Sequence, residues 1–135
     1  MKRLPVSRIL VIDDDPRLVD LVANCLREEG YRVSSALTSD EGLKLVVMSR
    51  PDLILLDLML PGLNGIDMLK RIRAINLTNR VIMVTGNTDP LLARESLEFG
   101  ALAYIDKPFD FDCLKRVVAM ALQAQTQQPD NYSQT

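Results

Sequence analysis

Four short apolar runs in this chain each end on an acid, a hydroxyl or an amine. They are Arg8-Ile9-Leu10-Val11-Ile12-Asp13-Asp14, Asp52-Leu53-Ile54-Leu55-Leu56-Asp57, Val81-Ile82-Met83-Val84-Thr85 and Ala101-Leu102-Ala103-Tyr104-Ile105-Asp106-Lys107. Continuous apolar runs of this length read as strands buried on both faces, the pattern of a parallel sheet covered on each side. The polar residues then stand at strand C-termini, the edge of an open parallel sheet where ligands bind. Three carboxylates, a hydroxyl and an amine are expected to converge on one crevice.

The segments between the runs carry helical periodicity and good caps, so strand and helix alternate five times. Asp15 is an N-cap with Pro16 at the first helical position, and Leu18, Leu21, Val22, Cys25 and Leu26 form one stripe before Gly30. Tyr31 to Ser35 supplies a further strand. Thr38-Ser39-Asp40-Glu41 has capping-box spacing and opens a helix with Leu43, Val46 and Val47 facing inward, ended by Pro51. Pro61-Gly62 marks a turn, Asn64 caps, and Met68, Leu69 and Ile72 line the third helix. Thr88-Asp89-Pro90 starts a fourth that Gly100 ends, and Asp110 caps a fifth with Leu114, Val117, Val118, Ala121 and Leu122 inward. Strict alternation implies right-handed crossovers with helices on both faces. The expected fold is a five-stranded α/β sandwich, with residues 7–124 as its domain and 125–135, rich in Gln, Asn, Ser and Thr, as a tail or linker stub.

Composition excludes several functions. At 135 residues the chain fits one domain, which buries roughly two-thirds of its unfolded surface. A net charge of -2 and a pI near 5.1 give no electrostatic case for nucleic-acid or anionic-membrane binding. No apolar run approaches the ~20 residues of a membrane span, and no apolar signal segment follows Lys2 and Arg3, so a cytoplasmic location is expected. Cys25 and Cys113 are unclustered and read as reduced, packed residues. Histidine is absent. A phosphohistidine, where the chemistry needs one, must come from a partner.

Three carboxylates brought within ~4 Å repel by about 4 kcal/mol per pair at an effective dielectric near 20. Such a cluster wants a cation, and oxygen-only ligands favour magnesium or manganese over zinc. Lys107 adds a fixed positive charge and Thr85 a hydroxyl, a set suited to holding a phosphoryl group. Taken singly each residue has a plain structural use: Asp14 and Asp15 as caps, Asp57 as a turn residue, Thr85 satisfying a loop amide, Lys107 as a surface cation. Their recurrence at successive strand ends is what favours a site.

From Ile9 to about Leu122 the chain resembles the receiver domain of two-component response regulators. The matching pieces are Ile9 to Asp15, Leu55-Leu56-Asp57-Leu58-Met59-Leu60-Pro61-Gly62, Val84-Thr85-Gly86 and Tyr104-Ile105-Asp106-Lys107-Pro108-Phe109, in that order. The resemblance implies a flavodoxin-like sheet of order 2-1-3-4-5. It implies Asp57 as the phosphoacceptor, a 4-aspartylphosphate in its modified form, charged by a sensor histidine kinase, a histidine phosphotransfer protein or a small donor such as acetyl phosphate. Asp14, Asp57 and the Met59 carbonyl match ligands of Mg2+, or of Mn2+ in its place, with Asp13 holding metal-bound water. Lys107 matches the lysine that contacts the phosphoryl group. Thr85 and Tyr104 match a coupled switch that remodels the surface of helix 4, strand 5 and helix 5. Met59 and Asn87 flank the path of hydrolytic water and tune dephosphorylation. The implied partner beyond the kinase is a downstream effector domain or protein, or a second copy in a phosphorylation-dependent homodimer. The chain is then a phosphoacceptor that promotes its own phosphotransfer and dephosphorylation rather than an enzyme.

The stretch Lys107 to Leu114, after Tyr104, resembles receivers of regulators that control ATP-dependent transcription activators. The residues up to Thr135 hold no effector domain or DNA-binding helix pair after it, so output through transcription is expected to require residues beyond Thr135. A stand-alone receiver fits equally well. Val11-Ile12-Asp13-Asp14-Asp15 also fits the opening of haloacid-dehalogenase-like phosphatases, with Asp13 as nucleophile and Asp15 as general acid. Arg17 departs from that pattern and Asp57 is left without a role. A flavin-binding module wants a Ser/Thr/Gly-rich phosphate loop where Asp13-Asp14-Asp15 stands. A receiver that binds partners without phosphorylation is the remaining alternative.

Overall fold

The computed structural model describes residues 6–86 and 89–133, with side chains described to residue 123. The chain alternates β1 (Arg8–Ile12), α1 (Pro16–Glu28), β2 (Arg32–Ala36), α2 (Ser39–Ser49), β3 (Leu53–Leu56), α3 (Gly65–Ile75), β4 (Val81–Thr85), α4 (Pro90–Glu98), β5 (Ala103–Asp106) and α5 (Phe111–Ser133). All strand pairs are parallel and the order is β2-β1-β3-β4-β5, the expected 2-1-3-4-5 sheet.

The buried runs split by pleat parity, since successive side chains point to opposite faces. Leu10, Ile12, Ile54, Leu56, Val81 and Met83 pack with Val46 of α2 and Met68, Leu69 and Ile72 of α3. Ile9, Val11, Leu53, Leu55, Ile82 and Val84 pack with Val19, Val22 and Leu26 of α1 and Leu114 and Val118 of α5. Each such Leu, Ile or Val contributes about 1.5–3 kcal/mol when fully buried.

Local chemistry sets the helix ends. Asp15 Oδ1 accepts from the amides of Arg17 and Leu18. Thr38 Oγ1 accepts from the Glu41 amide, and Glu41 Oε1 accepts from Leu37 N, one residue before the cap. Asn64 and Asp89 cap α3 and α4. Gly30 and Gly100 adopt positive φ just past α1 and α4, the left-handed conformation that ends a helix at low cost in glycine. Thr88 lies outside the described residues. The expected domain limit at 124 falls within the backbone span of α5.

Two inward assignments differ. Leu21 and Val47 are each 57% exposed. The buried face of α1 is Val19, Val22, Ala23 and Leu26, turned by about one residue position, ~100°, from the expected stripe. In α2 the contact runs through Ser39, Gly42 and Val46. A Cβ on Gly42 would lie 2.8 Å from Ile12 Cδ1, so α2 rests close on β1 along its small residues and Val47 rotates outward.

Candidate functional site

The ladder of the sheet extends one residue past several strands and seats the site. Asp13 N donates to Ala36 O, Asp57 N to Ile12 O and Lys107 N to Thr85 O, at 3.1, 3.0 and 2.9 Å. Backbone bonds to neighbouring strands therefore fix the Cα positions of Asp13, Asp57 and Lys107 before any side chain interacts.

Side-chain contacts then knit them together. Lys107 Nζ donates to Asp13 Oδ2 at 2.6 Å and to Asp57 Oδ2 at 2.9 Å. The other oxygen of each acid is held locally: Asp13 Oδ1 accepts from Asp15 N and Asp57 Oδ1 from Met59 N, both at 3.0 Å. Asp13 and Asp57 are buried, whereas Asp14 is exposed at the rim. A carboxylate oxygen from each of Asp13, Asp14 and Asp57 lies within 4.8 Å of the others.

Charge is unbalanced here. Burial pushes the Asp13 carboxyl above the usual range; Lys107 and the Asp15 amide pull it back, and the Asp57 charge pushes it up again. Burial works to lower the Lys107 pKa, but its hydrogen bonds to Asp13 and Asp57 outweigh that and the net direction is upward. One ammonium faces three carboxylates, so the crevice attracts a further cation. The donor set is all oxygen, which fits a hard divalent ion such as Mg2+ or Mn2+.

The remaining expected residues fall into two groups. Thr85 ends β4, fully buried, and pleat parity places its side chain on the face of Met83. Tyr104, opposite Met83 in β5, packs half-buried on that same face. Burial holds its phenol above the ordinary pKa, with Asp106, Asp57 and Asp89 adding to the effect. Met59 is 59% exposed beside the acids. Asn87 lies outside the described residues.

Gly65 is a participant that the sequence reading passed over. Its amide donates to Leu58 O at 2.7 Å, and a Cβ there would lie 2.4 Å from Leu58 Cα and 2.8 Å from Asp57 O. The first turn of α3 thus butts against the backbone that carries Asp57. The only sequence signal is a glycine directly after the Asn64 cap.

The family model for the response regulator receiver domain matches residues 9–119, a span that contains all the residues gathered in the crevice. The chain belongs to the response regulator receiver family. Sporulation initiation phosphotransferase F of Bacillus subtilis is 38% identical over 112 residues, which cover 83% of this chain and 90% of that protein. DNA-binding response regulator MtrA of Mycolicibacterium smegmatis is 44% identical over 103 residues, 76% of this chain but 45% of MtrA. Among solved structures, a CheY-like receiver domain protein from Methanospirillum hungatei superposes with a TM-score of 0.89 at 33% identity, covering 92% of this chain and 99% of that one. NtrX of Brucella abortus superposes at 0.88 and 31% identity, covering 95% of the receiver and 30% of NtrX. The receiver is therefore a module of two-component signalling, a phosphorylation-activated switch, in a family whose members work with kinases and effector domains. The phosphatase and flavin readings find no support. Among the described residues no helix is long and apolar enough to cross a membrane.

Proposed function

We propose that Asp57 is the residue phosphorylated. The observation that carries this is its buried carboxylate at the end of β3, held by Lys107 on one oxygen and by the Met59 amide on the other. In the reaction an Asp57 oxygen forms a bond to phosphorus as the phosphorus–nitrogen bond of a phosphohistidine breaks, and the imidazole leaves with the electron pair. With acetyl phosphate, acetate leaves instead. Asp57 becomes an acyl phosphate, and Lys107 is placed to pair with the incoming phosphoryl oxygens.

Asp13, Asp14 and Asp57, with the Met59 backbone carbonyl, would hold Mg2+, or Mn2+ in its place. When bound, the ion offsets charge on the transferring phosphoryl group and its oxygen ligands. The chain's own groups orient Asp57 and keep Lys107 beside it. After transfer, the Thr85 hydroxyl turns toward the new phosphoryl oxygens, and Tyr104, on the same sheet face, follows it. The surface of α4, β5 and α5 changes as a result, a two-state equilibrium biased by the new charge. Met59 and Asn87, by their match to the variable positions of receivers, tune the lifetime of the phosphorylated form.

The receiver acts in the cytoplasm, and its phosphoryl source is a sensor histidine kinase or a histidine phosphotransfer protein. The output is an effector domain, a separate protein or a phosphorylation-dependent homodimer. The receiver unit spans 7–124, with 125–135 as its C-terminal tail or linker stub. Intact mass after incubation with acetyl phosphate tests the reading. One phosphate is expected on the wild type with Mg2+, and none without the metal or in Asp57→Asn. Equal uptake by Asp57→Asn contradicts it.

A further inference from the structure

Arg73 is a cation held by carbonyls. It lies half-buried in the last turn of α3, and among the described residues no carboxylate forms a salt bridge with it. Its guanidinium instead donates to four backbone carbonyls. Nη1 reaches Leu77 O at 2.9 Å and also Asn79 O, Nε reaches Phe99 O at 3.2 Å, and Nη2 reaches Gly100 O. The first two carbonyls belong to the α3–β4 connection, the second two to the C-cap of α4 and the turn after it. Burial and then the Arg80 charge push its pKa down, so this position is electrostatically costly and the carbonyls are what offset it. Arginine suits the task because its planar fork aims five donors in fixed directions.

Two neighbours reinforce the hold. Lys70, one turn earlier on α3, places Nζ 4.7 Å from the centroid of the Phe99 ring, a cation–π contact. Gly100 has φ +95°, and a Cβ there would lie 2.8 Å from Arg73 Nη2, so glycine is what admits the guanidinium.

Beyond the clasp α4 is held more lightly, with Leu92 half-buried against the core. Ser96 is its one buried residue, while Leu91 is 70% exposed. The helix starts after Asp89, close in sequence to Thr85, and ends at the Arg73 clasp. One end of α4 thus follows the switch hydroxyl within a few residues of chain and the other is locked to α3.

We propose that Arg73, assisted by Lys70, is the fixed pivot of the switch. Phosphorylation swings the Asp89–Leu92 end of α4 about a stationary Phe99–Gly100 end, so α4 contributes to the changed α4–β5–α5 surface through its N-terminal part alone. The proposal rests on the phosphorylation of Asp57 argued above, and Arg73 acts in it as a positioning residue.

Hydrogen exchange of the full chain, read by mass spectrometry on each half of α4, tests the pivot. In wild type, Mg2+ with beryllofluoride as phosphate analogue is expected to alter exchange in residues 89–94 and leave 95–101 unchanged. Equal change in both halves overturns the proposal. Without the analogue, Arg73→Lys and the surface variant Lys70→Ala are expected to lose about tenfold protection in residues 95–101 while β1 and β3 keep theirs. With it, the change is expected to spread along the whole of α4. Wild-type exchange in both variants, or a loss spread equally over β1 and β3, overturns the proposal. Failure of the Asp57 reading looks different. Beryllofluoride then alters nothing in wild type although the variants still loosen α4 locally, which removes the switch and leaves Arg73 an anchor only.

Discussion

Lys107 Nζ stands 2.6 Å from Asp13 Oδ2, although 94 residues separate the two in sequence. The same ammonium also holds Asp57, so it is the internal counter-charge of the crevice.

Lys107→Ala is therefore expected to slow phosphoryl uptake about 100-fold, the usual scale for losing one donor to developing charge. It is also expected to cost roughly 1–3 kcal/mol of stability without divalent cation. Its folded pKa lies above the ordinary lysine value, so the stabilisation is complete below the unfolded pKa of about 10.4 and fades as pH rises through the higher folded value. Urea titrations of wild type and variant at pH 8 and pH 11 check this. The stability gap should narrow at the higher pH.

Asp13→Asn should act in the opposite direction. The Asp13 carboxyl titrates above its usual range chiefly because it is buried. Between the unfolded and the raised folded pKa the native state binds more protons, so ionising Asp13 costs stability as pH rises. Removing that charge is expected to raise the Tm at pH 7 by a few degrees without Mg2+, and to abolish most of the Tm gain that Mg2+ gives wild type. Thermal melts at pH 4 and pH 7 check the sign. The advantage of the variant should be larger at pH 7.

Gly65→Ala separates helix propensity from loop geometry. Alanine favours a helix by about 1 kcal/mol over glycine, yet its Cβ would meet Leu58 Cα at 2.4 Å and Asp57 O at 2.8 Å. The loop after Asp57 must shift. The expected outcome is a lower Tm and phosphoryl uptake reduced about tenfold or more, measured by calorimetry and by timed intact mass. A variant more stable than wild type with normal uptake contradicts the role given to Gly65.

Much of this was legible in the sequence, for identifiable reasons. A buried strand must turn polar where it leaves the sheet, so Asp13, Asp57, Thr85 and Lys107 announced both the strand ends and the crevice. Helical period fixed which residues of α1 share a stripe, but the contact with the sheet chose the centre of that stripe. Leu21 and Val47 faced outward as a result, because Ala23 and Gly42 allow closer approach than their bulkier neighbours. The Lys107–Asp13 pairing depends on the register of non-adjacent strands, which no local pattern encodes. Arg73 carried no sequence signal, since its partners are carbonyl oxygens that every residue has. The resemblance to receivers supplied the roles, and the geometry supplied the partners.

Each role given to the crevice depends on the phosphoryl group residing on Asp57. Phosphorylating the chain with acetyl phosphate and Mg2+, reducing the acyl phosphate with borohydride and sequencing the peptides by mass spectrometry tests it most directly. Homoserine at position 57, and only in the phosphorylated sample, is the predicted result. Homoserine at position 13 or 14, with Asp57 unchanged, would move the nucleophile to the end of β1 and leave Asp57 without its role.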